Sequence, residues 1–188
     1  MSVEDRRAMI VHAVLPLLVE HGANITSSQI ARAAGIGEGT VFRAFKDKDE
    51  LFDACTAEAL RPDHVLDAIA EIPADLPLED RLVEAAEALG AHLERMGALM
   101  GALRASGRVK RRGSEDRKGG RRESMAAIRG AIVDLLAPEA ERLRLPAEQL
   151  ATLFLSLLSG GRRLAADVDA PSTRQVVDFF LRGAVEAG

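Results

Sequence analysis

One glycine between two short apolar segments constrains this chain more than any other feature. Thr26-Ser27-Ser28-Gln29 has the spacing of a capping box, in which the Thr26 hydroxyl accepts from the third helical amide while Gln29 reaches back. The helix so opened carries Ile30, Ala31 and Ala34 and stops at Gly35, a residue free to adopt the left-handed conformation that redirects a chain. After Ile36-Gly37 a second short helix carries Val41, Phe42, Ala44 and Phe45. Asp47-Lys48-Asp49-Glu50 then opens another, with Asp47 as cap and Leu51, Phe52 and Cys55 facing inward. Helices this short need tertiary packing to persist. Ala31 is small where the two cross, and Ile30, Ala34, Ile36, Val41 and Ala44 supply the contacts that hold the second at a fixed angle.

The remainder reads as helical throughout. Aromatic residues make up 3% of the 188 residues and Trp and Tyr are absent, which counts against a sheet, while 47% hydrophobic content is enough for a substantial core. A first helix covers Val3 to about His21, with Ile10, Ala13, Val14, Leu17 and Leu18 on one face, Gly22 as its stop, and a kink expected at Pro16. Beyond Arg61-Pro62 the breaks fall at Pro73 to Pro77, Gly107 to Arg122, Pro138 to Pro146 and near Asp169-Ala170-Pro171. Two apolar stripes close the chain: Leu150, Leu153, Phe154, Leu157 and Leu158, then Val176, Val177, Phe179, Phe180 and Ala184, the latter helix capped by Ser172 and Gln175. The expected architecture is all-α: a three-helix, helix-turn-helix head over residues 1–50 and a helical bundle over 51–188. The two terminal stripes are expected to pair with a second copy as a four-helix dimer interface.

Charge and composition narrow the function. The net charge is −4, so any nucleic-acid contact must rest on a local surface. One cysteine, Cys55, excludes an internal disulfide, and neither a second Cys nor a close His pair offers metal-ligand spacing, so no metal or cofactor is expected. The segment Met1 to Arg7 is charged and lacks the apolar run of a signal peptide or anchor, which points to the cytoplasm and away from the membrane. Phosphate loop, nucleophile elbow and paired catalytic carboxylates are all missing, which leaves an enzyme as the weakest reading.

The segments Ser28-Gln29-Ile30-Ala31-Arg32-Ala33-Ala34-Gly35-Ile36, Gly39-Thr40-Val41-Phe42-Arg43-Ala44-Phe45 and Lys48-Asp49-Glu50-Leu51 resemble the tetracycline-repressor-like (TetR) family, over roughly residues 6 to 53. The resemblance implies a two-fold dimer gripping a double-stranded DNA operator, a body that binds a small-molecule effector, and repression as the mode of control. It also places Phe42 among the DNA-contacting residues and marks two departures: Phe42 stands where the family leads one to expect Tyr, and Ala44 where it leads one to expect His.

Independently of the resemblance, a helix lying in a major groove presents its N-terminal exposed side chains to base edges and backbone. Arg43 suits a guanine edge, and Thr40 a thymine methyl or a phosphate. Gly37 and Gly39 allow close backbone approach. Thr26, Ser27 and Ser28 offer hydroxyls and amides to a phosphate, as does Lys48, with Lys46 a second cationic contact. Glu38 repels phosphate unless it accepts from a cytosine amino group. Between Gly22 and Glu50, the bases Arg32, Arg43, Lys46 and Lys48 are matched by Glu38, Asp47, Asp49 and Glu50.

Elsewhere, Arg108, Lys110, Arg111, Arg112, Arg117, Lys118, Arg121 and Arg122 form a basic run, best read as a solvated connection between helices, with a supplementary backbone grip as the other reading. Candidate ligand-lining residues are Cys55, His92, Met96, Leu99, Met100, Leu103, Met125 and Phe154, the adaptable thioethers being suited to apolar ligands. The competing reading for the whole chain is a helical ligand-binding dimer whose reader has decayed.

Overall fold

The computed structural model describes residues 2–105, 114–164 and 171–185. Over them the chain is all-α: α1 (Val3–His21), α2 (Ser27–Ala33), α3 (Glu38–Ala44), α4 (Lys48–Ala59), α5 (Asp63–Ala70), α6 (Leu78–Ala105), α7 (Ser114–Leu136), α8 (Ala147–Leu164) and α9 (Thr173–Ala184). The only extended pairing among the described residues is an isolated antiparallel bridge between Leu143 and Val185. No helix among them is long and apolar enough to cross a membrane.

Two units make up the chain, one drawn from Met1–Arg61 and Leu93–Arg121, the other from Pro62–His92 and Arg122–Gly188. In the first, Ser2 and Asp5 close a capping box at the start of α1, and the helix runs through Pro16 as one element to Gly22, whose positive φ of 63° ends it. Ile10, Val14 and Leu18 of α1 are buried against Ile30 of α2, Val41 of α3 and Leu51, Phe52 and Cys55 of α4. Leu99 and Leu103 of α6 complete this core. The boundary expected at residue 50 therefore lies inside α4, a helix that packs on α1 as part of the head.

The second unit buries Val65 and Ile69 of α5, Leu82 and Leu89 of α6, Ile128, Ile132 and Leu136 of α7, Leu150 and Phe154 of α8, and Val177 and Phe180 of α9. Phe154 and Phe180 meet with ring centroids 5.0 Å apart and planes tilted by 51°. Arg81, buried at the start of α6, donates to the Leu135 carbonyl at 2.8 Å and to Glu139 at 3.3 Å, tying down the end of α7. Arg174 reaches from α9 to Glu79 at 2.8 Å and Asp80 at 3.0 Å.

One expectation is corrected. The break anticipated from Gly107 to Arg122 does not hold from Ser114 onward, where α7 begins and carries Gly119 and Gly120 within it. Each glycine costs a helix about 1 kcal/mol. Extending a helix is far cheaper than nucleating one, however, and the buried Ile128, Ile132 and Leu136 downstream secure the nucleus. Arg108, Lys110, Arg111 and Arg112 lie outside the described residues, whereas Arg117, Lys118, Arg121 and Arg122 belong to α7.

Candidate nucleic-acid interface

The junction between α2 and α3 is built locally. The Thr26 amide donates to Gln29 Oε1 at 2.7 Å and the Gln29 amide to Thr26 Oγ1 at 3.2 Å, so the capping box closes as its spacing predicts. At the other end of α2 the chain turns through Gly35, with φ 65°, and the Ile36 amide returns to the Ala31 carbonyl at 3.0 Å. A Cβ built on Gly35 would meet nothing within 4 Å. Glycine is needed there for its backbone conformation and not for space. Ala31 is small and buried in the core that α2 shares with α3.

From that turn, α3 places Val41 and Ala44 in the core and leaves Glu38, Gly39, Phe42 and Arg43 exposed, with Thr40 half-buried. Gly37 caps the helix without a side-chain bond, and Cβ atoms at Gly37 and Gly39 would stand in open space. Ser28 and Thr26 are exposed at the start of α2, with Ser27 half-buried beside them. Lys46 is exposed beyond α3. The eleven residues singled out from the sequence for DNA contact thus all belong to one unit, around α2, α3 and the start of α4. Ala44 points into the core, so its departure from the family pattern does not alter the exposed side of α3.

Lys48 has a role the sequence did not reveal. Its ammonium donates to the Ile25 carbonyl at 2.8 Å, linking α4 to the segment before α2. An ammonium has three donors, so two stay available to a phosphate.

The residue sequence reasoning missed is Arg7. From α1 its guanidinium donates to the Ala44 carbonyl at the end of α3 and to Glu50 Oε1 at 2.7 Å, and it lies 4.2 Å from the centroid of the Phe45 ring. Glu50 in turn accepts from the Lys46 amide at 2.7 Å, and Asp47 caps α4 by accepting from the Glu50 amide at 2.8 Å. The Lys46 amide first, and then the Arg7 guanidinium, hold the Glu50 carboxyl below the usual glutamate range. A carboxylate whose pKa is lower folded than unfolded stabilises the fold above its unfolded value and loses that contribution as pH falls through the folded one. The brace is therefore complete at neutral pH. It also pairs Glu50, one of the four acids that balance the head's bases, with a base outside that count, leaving the exposed Arg32, Arg43 and Lys46 less opposed than the bare count suggests.

Residues 10–55 match the model of the tetR family of bacterial regulatory proteins. The likeness to that family lies in the head, from α1 to α4. Solved structures share the fold over nearly the whole chain. A TetR-family protein from Mesorhizobium loti MAFF303099 superposes with a TM-score of 0.67 at 17% identity, over 99% of this chain and 100% of that one. A transcriptional regulator from Rhodococcus sp. Rha1 gives 0.64 at 21% identity, over 97% and 99%. NalD, the secondary repressor of the MexAB-OprM multidrug efflux pump in Pseudomonas aeruginosa, gives 0.55 at 21% identity, over 97% and 96%. The family model thus matches the helix-turn-helix head, and the solved structures share the all-α fold.

The residues considered for ligand lining divide between the two units. Cys55, Leu99 and Leu103 are core residues of the head unit, with Met96 and Met100 half-buried in it. Burial pushes the Cys55 thiol up to about 12, leaving it protonated and unreactive at neutral pH. His92 and Phe154 are buried in the second unit, and Met125 is exposed there. The stripes expected to dimerise also divide. Leu150, Phe154, Val177, Phe180 and Ala184 are buried in their own unit, Val176 and Leu158 are half-buried, and Leu153, Leu157 and Phe179 are exposed at 48%, 38% and 71%.

Proposed function

We propose that the protein is a homodimeric repressor that grips a near-palindromic operator through α3 of each head and releases it when a small molecule binds. The observation that carries this reading is the disposition of α3: its apolar residues Val41 and Ala44 are anchored in the head while Glu38, Gly39, Phe42 and Arg43 are turned outward. A rigid helix with an outward polar N-terminal half is what a major groove accommodates. Arg43 and Thr40 read bases. Thr26, Ser27, Ser28, Lys46 and Lys48 hold phosphates, and Gly37 and Gly39 let the backbone approach. Leu153, Leu157 and Phe179, exposed in a single chain, are covered by the second copy. Repression and release by a small molecule rest on the family; that NalD is a repressor supports the first. The half-buried thioethers of Met96 and Met100 suit an apolar effector, which must favour a state with mismatched heads, since a ligand shifts an equilibrium only through differential affinity.

The test is a salt-resolved titration of a fragment selected from genomic DNA. Arg43→Ala is expected to relax base preference at one position per half-site, a loss of about 1–3 kcal/mol in discrimination. Lys48→Ala is expected to weaken all sequences alike and to lower the salt slope by about one. Variants indistinguishable from wild type would refute these contacts. The missing hydroxyl at Phe42 favours a second reading, a ligand-binding dimer with a decayed reader. That reading predicts retention of DNA only below about 50 mM salt and without sequence preference, where electrostatic binding alone persists.

A further inference from the structure

Phe42 is 53% exposed on the outward side of a helix whose other apolar residues, Val41 and Ala44, are buried. Among the described residues it is the only aromatic side chain in the exposed large hydrophobic set of the head. Helical side chains lean toward the helix N-terminus, over the preceding turn. On Phe42 that turn holds Gly39, where an added Cβ would meet nothing within 4 Å, the Phe42 ring included. The space beside Gly39 is thus open, and the exposed Phe42 side chain stands within reach of whatever approaches α3. A phenyl ring has neither donor nor acceptor, so it gains nothing from a phosphate oxygen or from the polar edge of a base. The one apolar group that bases present in the major groove is the C5 methyl of thymine.

We infer that Phe42 is a specificity-determining residue that reads a thymine methyl in each half-site of the operator. Thr40 also carries a methyl, but it is more withdrawn than Phe42. The family's usual hydroxyl at position 42 is given up here, and a backbone contact is exchanged for a base contact. This inference rests on α3 lying in the major groove, as proposed above.

The test uses the full-length protein and a genomic fragment that it retains at moderate salt, remade with single thymine-to-uracil replacements, each deleting one methyl and nothing else. Burial of one methyl is worth about 0.8 kcal/mol, or roughly fourfold in affinity. Uracil at one symmetric pair of positions is therefore expected to weaken wild type about fourfold per half-site. Phe42→Ala, at an exposed position and with an unchanged thermal melt, should bind thymine and uracil there alike; Phe42→Tyr should still discriminate. A wild-type protein that binds its fragment specifically but is insensitive to every replacement overturns the assignment alone, as does discrimination retained by Phe42→Ala. A wild-type protein that retains no fragment overturns the DNA-reading assignment of α3 and this inference together.

Discussion

Phe179→Glu combined with Leu157→Glu is expected to yield a folded monomer whose operator affinity is lower by a hundredfold or more. Both side chains are exposed in the isolated chain, so neither change opens a cavity in the second unit, whose core is made by Phe154, Val177, Phe180 and their neighbours. Surface substitutions of this kind move stability by about 0.5 kcal/mol or less. In the proposed dimer the same positions are buried, and an unpaired carboxylate there meets a strong desolvation penalty. The affinity follows because two linked heads gain about 10²–10⁴ over one head through effective concentration. Light scattering coupled to size exclusion gives the mass, and a thermal melt the fold. A double variant that remains a dimer would show that α8 and α9 are not the interface.

Arg7→Ala is expected to be the most damaging single change outside the exposed side of α3. It removes a charged hydrogen bond to the Ala44 carbonyl, worth about 1.5–3 kcal/mol. The ion pair to Glu50 adds little, since both partners are more than a third exposed. The contact with the Phe45 ring adds about 0.5–1 kcal/mol. These contributions share one side chain and do not sum, so a loss of about 2–3 kcal/mol is expected in a denaturation of the head. Operator affinity should fall at least tenfold even where the head stays folded, because the end of α3 is no longer held. Arg7→Lys keeps the charge without the two-pronged geometry and should fall between the two. Unchanged affinity in a destabilised Arg7→Ala protein would mean that the brace serves folding alone.

What could be read from the sequence was local. The caps at Thr26 and Gln29, at Asp47, and at Ser172 and Gln175 all formed, because each is decided within four residues by side chains that satisfy orphan amides. Gly35 was legible for the same reason: a sharp turn after a short helix needs a positive φ. Arg7 was not, because its partners at Ala44 and Glu50 lie 37 and 43 residues away and nothing near Arg7 marks it as other than a charged residue of the first helix. Lys48 looked like a free cation until its bond to Ile25 was seen. The apolar stripes of α8 and α9 were visible, but a wide stripe does not say which edge meets its own core. Phe180 and Phe179 are neighbours in sequence, yet one is buried and the other, among the described residues, is the most exposed large hydrophobic one.

The most direct measurement of the central claim, that α3 enters a groove on each half of one duplex, uses a tethered DNA-cleaving reagent. Cys55 is buried and protonated, so Glu38→Cys places the one reactive thiol at the exposed start of α3. With a selected operator, the tethered reagent is expected to cut at two symmetric centres within the major groove, separated by about 34–36 Å or a multiple of it. Retention of the operator by the labelled protein with no cleavage, or with cleavage at a single centre, would contradict the account.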